Sequence, residues 1–166
     1  MFFKTKRTHY ESIYKSAYRA FFVLCLRYCG SQQEAEEAFN DGMVKYFEFE
    51  KKNTIEEATR YALIKKILIN TCIDRSRKKK LSFQMIDEAI SNQYSEPAQV
   101  DYQQVKEEIL VLIQQLPPQT RLVFNLYIFE GWSHKKIADH LQITENTSYW
   151  HLNKGKEKVL SILIES

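Results

Sequence analysis

The chain has 166 residues, of which 44% are hydrophobic, 27% charged and 13% aromatic, with four Gly and three Pro. That composition excludes a disordered chain and a collagen-like fibre, and the length allows a core that needs no disulfide staples. The formal net charge of +3 excludes little until it is divided along the chain.

Lys and Arg against Asp and Glu number 6 and 1 over residues 1–28, 3 and 8 over 29–59, and 8 and 1 over 60–80. They number 1 and 6 over 81–108, 1 and 1 over 109–130, and 5 and 4 over 131–166. A +7 block flanked by two −5 blocks suits a protein that meets a polyanion with one surface and a basic partner with another. No stretch reaches the ~18 apolar residues of a membrane span, and the opening Met1-Phe2-Phe3-Lys4 lacks the apolar core of a signal peptide, so a cytoplasmic protein without membrane insertion is expected. Cys25, Cys29 and Cys72 fall among apolar residues of helical pattern, which suits reduced, packed thiols; no further Cys or His pair completes four ligands, so no metal and no cofactor are expected.

Tyr10, Ile13, Tyr14, Ala17, Tyr18, Phe21, Cys25 and Tyr28 recur at steps of three and four and predict a first helix, stopped by Gly30. Ser31 with Glu34 reads as a capping box for a second, whose apolar face is Ala35, Ala38, Phe39, Met43, Tyr46 and Phe47. After the charged stretch Glu48 to Asn53, a capping box at Thr54 and Glu57 is expected to open a third helix through Ala58, Ala62, Ile64, Ile67, Leu68, Cys72 and Ile73. From Ser82 to Asp101 polar and acidic residues take over and Pro97 opposes a helix, which predicts a tether with one helical turn near Ile86 to Ile90.

Beyond the tether, Val105, Ile109, Leu112, Ile113 and Leu116 form one helical face, stopped by Pro117-Pro118, and Leu122, Val123, Leu126 and Tyr127 form another, ended by Gly131. Ser133 is expected to cap a short helix with Ile137, Ala138 and Leu141, and Thr144 a longer one running to about Leu163. The expected fold is therefore all-α: two small helical domains, residues 1–81 and 103–166, joined by an acidic linker at 82–102.

Two constellations carry function. Residues 133–155 have the spacing of a helix-turn-helix, in which Ala138 lets two helices cross closely and the second enters the major groove. Its exposed positions should include Asn146, Tyr149, Trp150, Asn153, Lys154 and Lys156: lysines for phosphates, Asn153 for an adenine edge, Trp150 or Tyr149 for a thymine methyl or sugar. The alternative is a helical hairpin inside an interaction domain, with Trp150 in its core. The second constellation is Arg75 to Lys80 with Arg60, Lys65 and Lys66 on the same helix, adjoined by Tyr61 and by Phe49 to Asn53, which resembles a phosphate track beside unstacked bases. A solvated basic face and helix-end capping are the plainer alternatives.

These residues also carry a resemblance. The order Glu34-Ala35-Glu36-Glu37-Ala38, then Asn70, Asp74 and Arg77, an acidic tether, Leu116-Pro117-Pro118-Gln119-x-Arg121-x-Val123-Phe124, Glu130-Gly131-Trp132-Ser133-x-x-x-Ile137-Ala138 and a closing helix-turn-helix is similar to an extracytoplasmic-function (ECF) sigma factor of bacterial RNA polymerase, over about Tyr10 to Leu163. The resemblance implies a sigma-two domain that binds core RNA polymerase through Glu36, Glu37, Asn40, Asp41, Val44, Lys45 and Phe47. It implies capture and melting of the minus-ten element of promoter DNA by Lys51, Lys52, Asn53, Arg60, Lys66, Asn70, Asp74, Arg77 and Lys78. It implies a sigma-four domain that docks on the minus-thirty-five element through Ser133, Thr144, Asn146, Thr147, Tyr149, Trp150, Asn153, Lys154 and Lys156, and an anti-sigma factor as a further partner. The sequence departs from that pattern at Phe39 and Asn40, where Leu or Ile and then Gln are usual, at Arg60, at Leu63 and in the aromatic stretch Tyr149-Trp150-His151.

His9, His134, His140 and His151 lie far apart, outside any nucleophile or metal motif, and are expected to be solvated or capping residues; no enzyme is expected. Gly155, inside a helix, is expected to mark close packing against a partner. The competing function is a stand-alone helix-turn-helix regulator that binds duplex DNA as a dimer, and a third is a protein-only interaction module.

Overall fold

The structure, a computed structural model, describes residues 2–83 and 103–165. These form seven helices and, among the described residues, no strand: α1 (Phe2–Tyr28), α2 (Gln32–Glu50), α3 (Glu57–Phe83), α4 (Gln103–Gln114), α5 (Pro118–Ile128), α6 (His134–Leu141) and α7 (Glu145–Glu165). The chain divides into two compact units, Met1–Arg75 and Ser76–Ser166, and the protein is all-α. The expected tether and its helical turn near Ile86 to Ile90 lie outside the described residues, except Ser82 and Phe83, which end α3. Among the described residues no helix is long and apolar enough to cross a membrane.

In the N-terminal unit, Ser31 caps α2 by accepting from the Glu34 N–H at 3.2 Å, while the Glu34 carboxylate accepts from the Gly30 N–H at 3.3 Å. This is a capping box whose return arm reaches one residue further back than usual, so two N–H groups at the α1–α2 connection have partners. The second expected box is corrected: α3 begins at Glu57, so Thr54 lies outside it, and the first turn is held by Thr59, whose N–H and hydroxyl both donate to the Glu56 carbonyl at 3.1 Å. The buried face of α3 accordingly starts at Ile64 and continues through Leu68, Ile69, Cys72 and Ile73, while Ala58 and Ala62 are exposed.

The core between α1 and α2 is aromatic. Phe39, fully buried, meets the edges or faces of Tyr14, Tyr18 and Phe22, three rings one helical turn apart, with centroids 5.3, 5.3 and 6.2 Å away. Each such pair contributes about 0.5–1.5 kcal/mol beyond area burial. A branched aliphatic residue at 39 would leave that ladder without its common partner. Gly42 brings α2 against α3: a Cβ there would stand 2.6 Å from Leu68 Cδ2. Cys25, Cys29 and Cys72 are all buried and reduced. Hydrogen bonding to the Cys25 and Cys29 thiols, with burial, pushes the Cys72 thiol well above its usual pKa, so it stays protonated.

In the C-terminal unit, Pro118 occupies the first turn of α5, where its missing N–H costs nothing. Arg121 is buried and its guanidinium donates to three carbonyls: Ile113 at 3.2 Å, Gln114 at 2.6 Å and Leu116 at 2.9 Å. A cation thus caps the open end of α4 and fixes the α4–α5 corner. α7 packs against α4, α5 and α6, and its inner seam is Ser148, Leu152 and Gly155. A Cβ at Gly155 would meet Phe124 Cδ2 at 2.9 Å and Thr120 Cγ2 at 3.3 Å. The glycine expected to face a partner therefore faces α5 of its own unit, a correction that explains why a residue costly to helices sits mid-helix.

Candidate nucleic-acid interface

The helix-turn-helix is built from α6 and α7. Ser133 Oγ accepts from the Lys136 N–H at 3.2 Å and opens α6. Gln142 closes it in the left-handed region at φ 55°, a conformation that non-glycine residues adopt at a cost and that here turns the chain within three residues. Thr144 Oγ1 accepts from the Thr147 N–H at 3.1 Å and lies 2.8 Å from the Thr147 hydroxyl, so α7 starts with both threonines engaged in its cap.

With Ser148, Leu152 and Gly155 turned inward, helical geometry turns Asn146, Tyr149, Trp150, Asn153, Lys154 and Lys156 outward, and all six are exposed. Tyr149 is 51% and Trp150 56% exposed, which removes the alternative of Trp150 in a core. Lys154 pairs with Glu157 at 3.0 Å and the Lys156 ammonium lies 5.8 Å from the Tyr127 ring centroid. Beside the N-terminus of α6, Ser133, Lys135, Lys136, Asp139 and His140 line an open depression, with Lys136 3.9 Å over the Trp132 ring.

His9 is exposed, as expected, but the three histidines of the C-terminal unit differ from the expectation of solvated or capping residues. His134 is 6% exposed; its Nδ1 is 2.8 Å from Ser148 Oγ, and its ring lies between Tyr127 at 4.7 Å and Tyr149 at 3.7 Å, nearly parallel to both. Burial lowers its pKa below the usual 6.5, with Glu145 opposing and Lys156 assisting. His151 Nδ1 is 2.9 Å from Thr120 Oγ1 on α5, and His140 meets Trp132 edge-on at 5.1 Å. Sequence periodicity misses this because histidine counts as polar. The signal available was Ser148 and Tyr149 adjoining on one helix, with Tyr127 and His134 flanking Gly131.

In the N-terminal unit, Glu36, Glu37, Asn40, Asp41, Val44, Lys45 and Phe47 share the outer side of α2, and all but Phe47 are exposed. Several are already engaged. Arg75 of α3 bridges Glu37 and Asp41, the latter at 2.5 Å. The Tyr14 hydroxyl donates to Asn40 at 2.7 Å, Lys45 donates to buried Thr71 at 3.2 Å, and Phe47 packs edge-on against Tyr10 at 4.9 Å. Val44, 56% exposed, is left facing outward.

Lys51, Lys52 and Asn53 are exposed in the turn after α2, where Asn53 Nδ2 donates to the Phe49 carbonyl at 2.8 Å. Lys66, Asn70, Asp74 and Lys78 recur every fourth residue of α3, with Arg77 beside them; Lys66, Asp74 and Lys78 are exposed, Asn70 and Arg77 half-buried. Arg60 faces inward, its side chain 17% exposed and 3.8 Å from Glu50. Glu50 also accepts from the Tyr46 hydroxyl at 3.0 Å; burial, then that hydrogen bond, pushes the Tyr46 pKa up to about 12. Among the described residues no group of His, Cys, Asp or Glu is arranged to hold a metal ion.

A comparison with curated proteins finds no match for the chain. A family model does match residues 106–159, an interval that takes in α5, α6 and most of α7: it is the model described as sigma-70, region 4. The C-terminal unit thus carries a helix-turn-helix domain of the sigma-70 region 4 type.

Proposed function

We propose that the chain is an ECF-type sigma factor: it binds core RNA polymerase, directs promoter-specific initiation and supplies recognition while the polymerase supplies the chemistry. The observation that carries this reading is the outward face of α7, from Asn146 to Lys156, uncommitted to any core and lying within the stretch similar to sigma-70, region 4. In this reading residues 103–166 dock on the minus-thirty-five element, with α7 in the major groove and the α6 N-terminus, Ser133, Lys135 and Lys136 at a backbone phosphate. Residues 1–81 hold the polymerase with the outer side of α2 and the minus-ten strand with the 51–53 turn and the α3 stripe from Lys66 to Lys78. Melting requires a base out of the stack, a cost of a few kcal/mol that cationic and polar contacts must offset. The protein works in the cytoplasm, under an anti-sigma partner, with the acidic stretch between α3 and α4 as the tether.

Run-off transcription with purified core polymerase tests the reading: a start-site-specific product is expected, and none would overturn it. Arg77→Ala combined with Lys78→Ala should abolish promoter opening, followed by permanganate reactivity of unpaired thymines, while leaving co-elution with core polymerase intact. A symmetric operator bound tightly by the free chain would instead favour the stand-alone dimeric regulator.

A further inference from the structure

We propose that the α7 reader selects A·T-rich duplex by gripping thymine methyl groups with Tyr149 and Trp150, Tyr149 being held for that task by the His134 ring on which it stacks. The inference rests on the reading of α7 as a major-groove helix and specifies what that helix reads.

The exposed residues over the first two and a half turns of α7 are Glu145, Asn146, Tyr149, Trp150 and Asn153. None is a cation. The commonest way of reading guanine, a bidentate Arg or Lys on O6 and N7, is therefore absent from the part of the helix that meets base edges. The cations arrive only at Lys154, already paired with Glu157, and Lys156, beside Tyr127. Beside Glu145, a pure acceptor whose partners on base edges are the amino groups of cytosine or adenine, there are two amides, whose paired donor and acceptor match adenine N6 and N7, and two large rings, whose apolar faces suit the thymine C5 methyl in the groove. The amides and the rings both favour A·T pairs.

The rings are also ordered before any DNA arrives. Tyr149 lies 3.7 Å from His134, His134 lies 4.7 Å from Tyr127, and the His134 imidazole is fixed by Ser148 of the inner seam. Trp150 stands edge-on to His151, which is tied to Thr120 of α5. Side chains held this way lose little rotamer freedom on binding, so more of the contact energy appears as discrimination. His134 touches no base in this arrangement; it is a positioning residue.

The test uses the full chain bound to bacterial core RNA polymerase and a randomised pool of DNA duplexes, synthesised once with thymine and once with uracil, which lacks the methyl and pairs identically. A·T-rich sequences should be enriched from the thymine pool. Replacing a single read thymine by uracil should weaken binding about three- to five-fold, the effect of losing one buried methyl group. Tyr149→Ala or Trp150→Ala should flatten that ratio toward one at the position each ring reads. His134→Ala should lower the ratio read by Tyr149, and His134→Phe, which keeps a flat ring in the stack, should restore it; if the alanine variant does not fold, a wild-type ratio in His134→Phe beside a lowered one in His134→Gln carries the point. Equal enrichment of both pools, or an unchanged ratio in both Tyr149→Ala and Trp150→Ala, overturns the inference and leaves the sigma-factor reading standing. Enrichment from neither pool overturns both.

Discussion

The two units solve the same problem, three or more helices meeting at short range, with opposite placements of their polar groups. Among the described residues the N-terminal unit buries Thr71 as its polar residue, spends Arg75 in surface pairs with Glu37 and Asp41, and turns one further pair, Arg60 with Glu50, inward. The C-terminal unit does the reverse: Thr120, Arg121, Asn125, His134 and Ser148 are buried, and aromatic rings stand outside. The difference teaches that a charge block in a sequence is not a free charge in a structure. The acidic α2 surface is partly neutralised from within, whereas the outward face of α7 presents uncharged Asn146, Tyr149, Trp150 and Asn153 ahead of its two lysines. Surface pairs of the first kind are each worth about 0–1 kcal/mol, while a buried donor stripped of its role costs several times more.

The sharpest way to break this contrast is at Arg121. Replacing it by Leu keeps most of the volume but strands the carbonyls of Ile113, Gln114 and Leu116 at the end of α4. A loss of about 3 kcal/mol is expected, since hydrogen bonds from a charged donor contribute about 1.5–3 kcal/mol and unpaired buried acceptors add to it. Both tryptophans, Trp132 and Trp150, lie in the C-terminal unit, so urea unfolding followed by their fluorescence reports on that unit. A change below 1 kcal/mol would mean that water replaces the guanidinium freely.

Next comes Gly155→Ala. Alanine adds about 1 kcal/mol of helix propensity, yet its Cβ would stand 2.9 Å from the ring of Phe124, which is itself buried. Overpacking costs about 1–3 kcal/mol, so a net loss of about 1 kcal/mol is expected in the same fluorescence measurement. A gain would show that α5 and α7 can part without penalty.

The helices were legible because apolar spacing and caps speak locally: Ser31, Ser133 and Thr144 all cap where expected, and the Pro117-Pro118 break and Gly131 stop fall in place. What the sequence hid is what depends on a partner distant in sequence. Thr54 with Glu57 has the letters of a capping box, but the chain turns into α3 two residues later. Phe39 stands where the resemblance leads one to expect Leu or Ile, and the rings it meets, Tyr14, Tyr18 and Phe22, lie on another helix. His134 reads as polar and becomes the centre of a ring stack, and Arg75, counted among free bases, is committed to two carboxylates. The candidate site followed the same rule: exposure along α7 came from periodicity alone, and the ordering of Tyr149 did not.

A smaller effect tests the buried histidine. Burial favours neutral His134, so the unfolded chain takes up its proton more readily than the native one. Its contribution to stability is complete above the usual pKa of 6.5 and is lost progressively as the pH falls below it. Urea midpoints of the C-terminal unit measured between pH 7.5 and 5.5 should fall with acidification, and His134→Phe should flatten that dependence. An identical slope in the variant would assign the acid sensitivity to other groups.

The smallest effect belongs to Arg75→Ala, and it separates what a charge does for the fold from what it does for a surface. The Arg75 side chain is 32% exposed, and those of Glu37 and Asp41 are 48% and 53% exposed, so water and salt screen the pairs and the loss on unfolding should stay below about 1 kcal/mol. Desolvation works against the charged guanidinium, but the two carboxylates outweigh it and raise the pKa of Arg75, so the bridge persists across the physiological range. Circular dichroism, which follows all helices, should therefore show a midpoint within a few degrees of the wild type. The acidic outer side of α2 would meanwhile gain two unpaired carboxylates. If that side meets a basic partner, association with core polymerase should quicken at low salt and converge with the wild type as salt rises. Slower association in the variant would mean that Arg75 itself makes the contact.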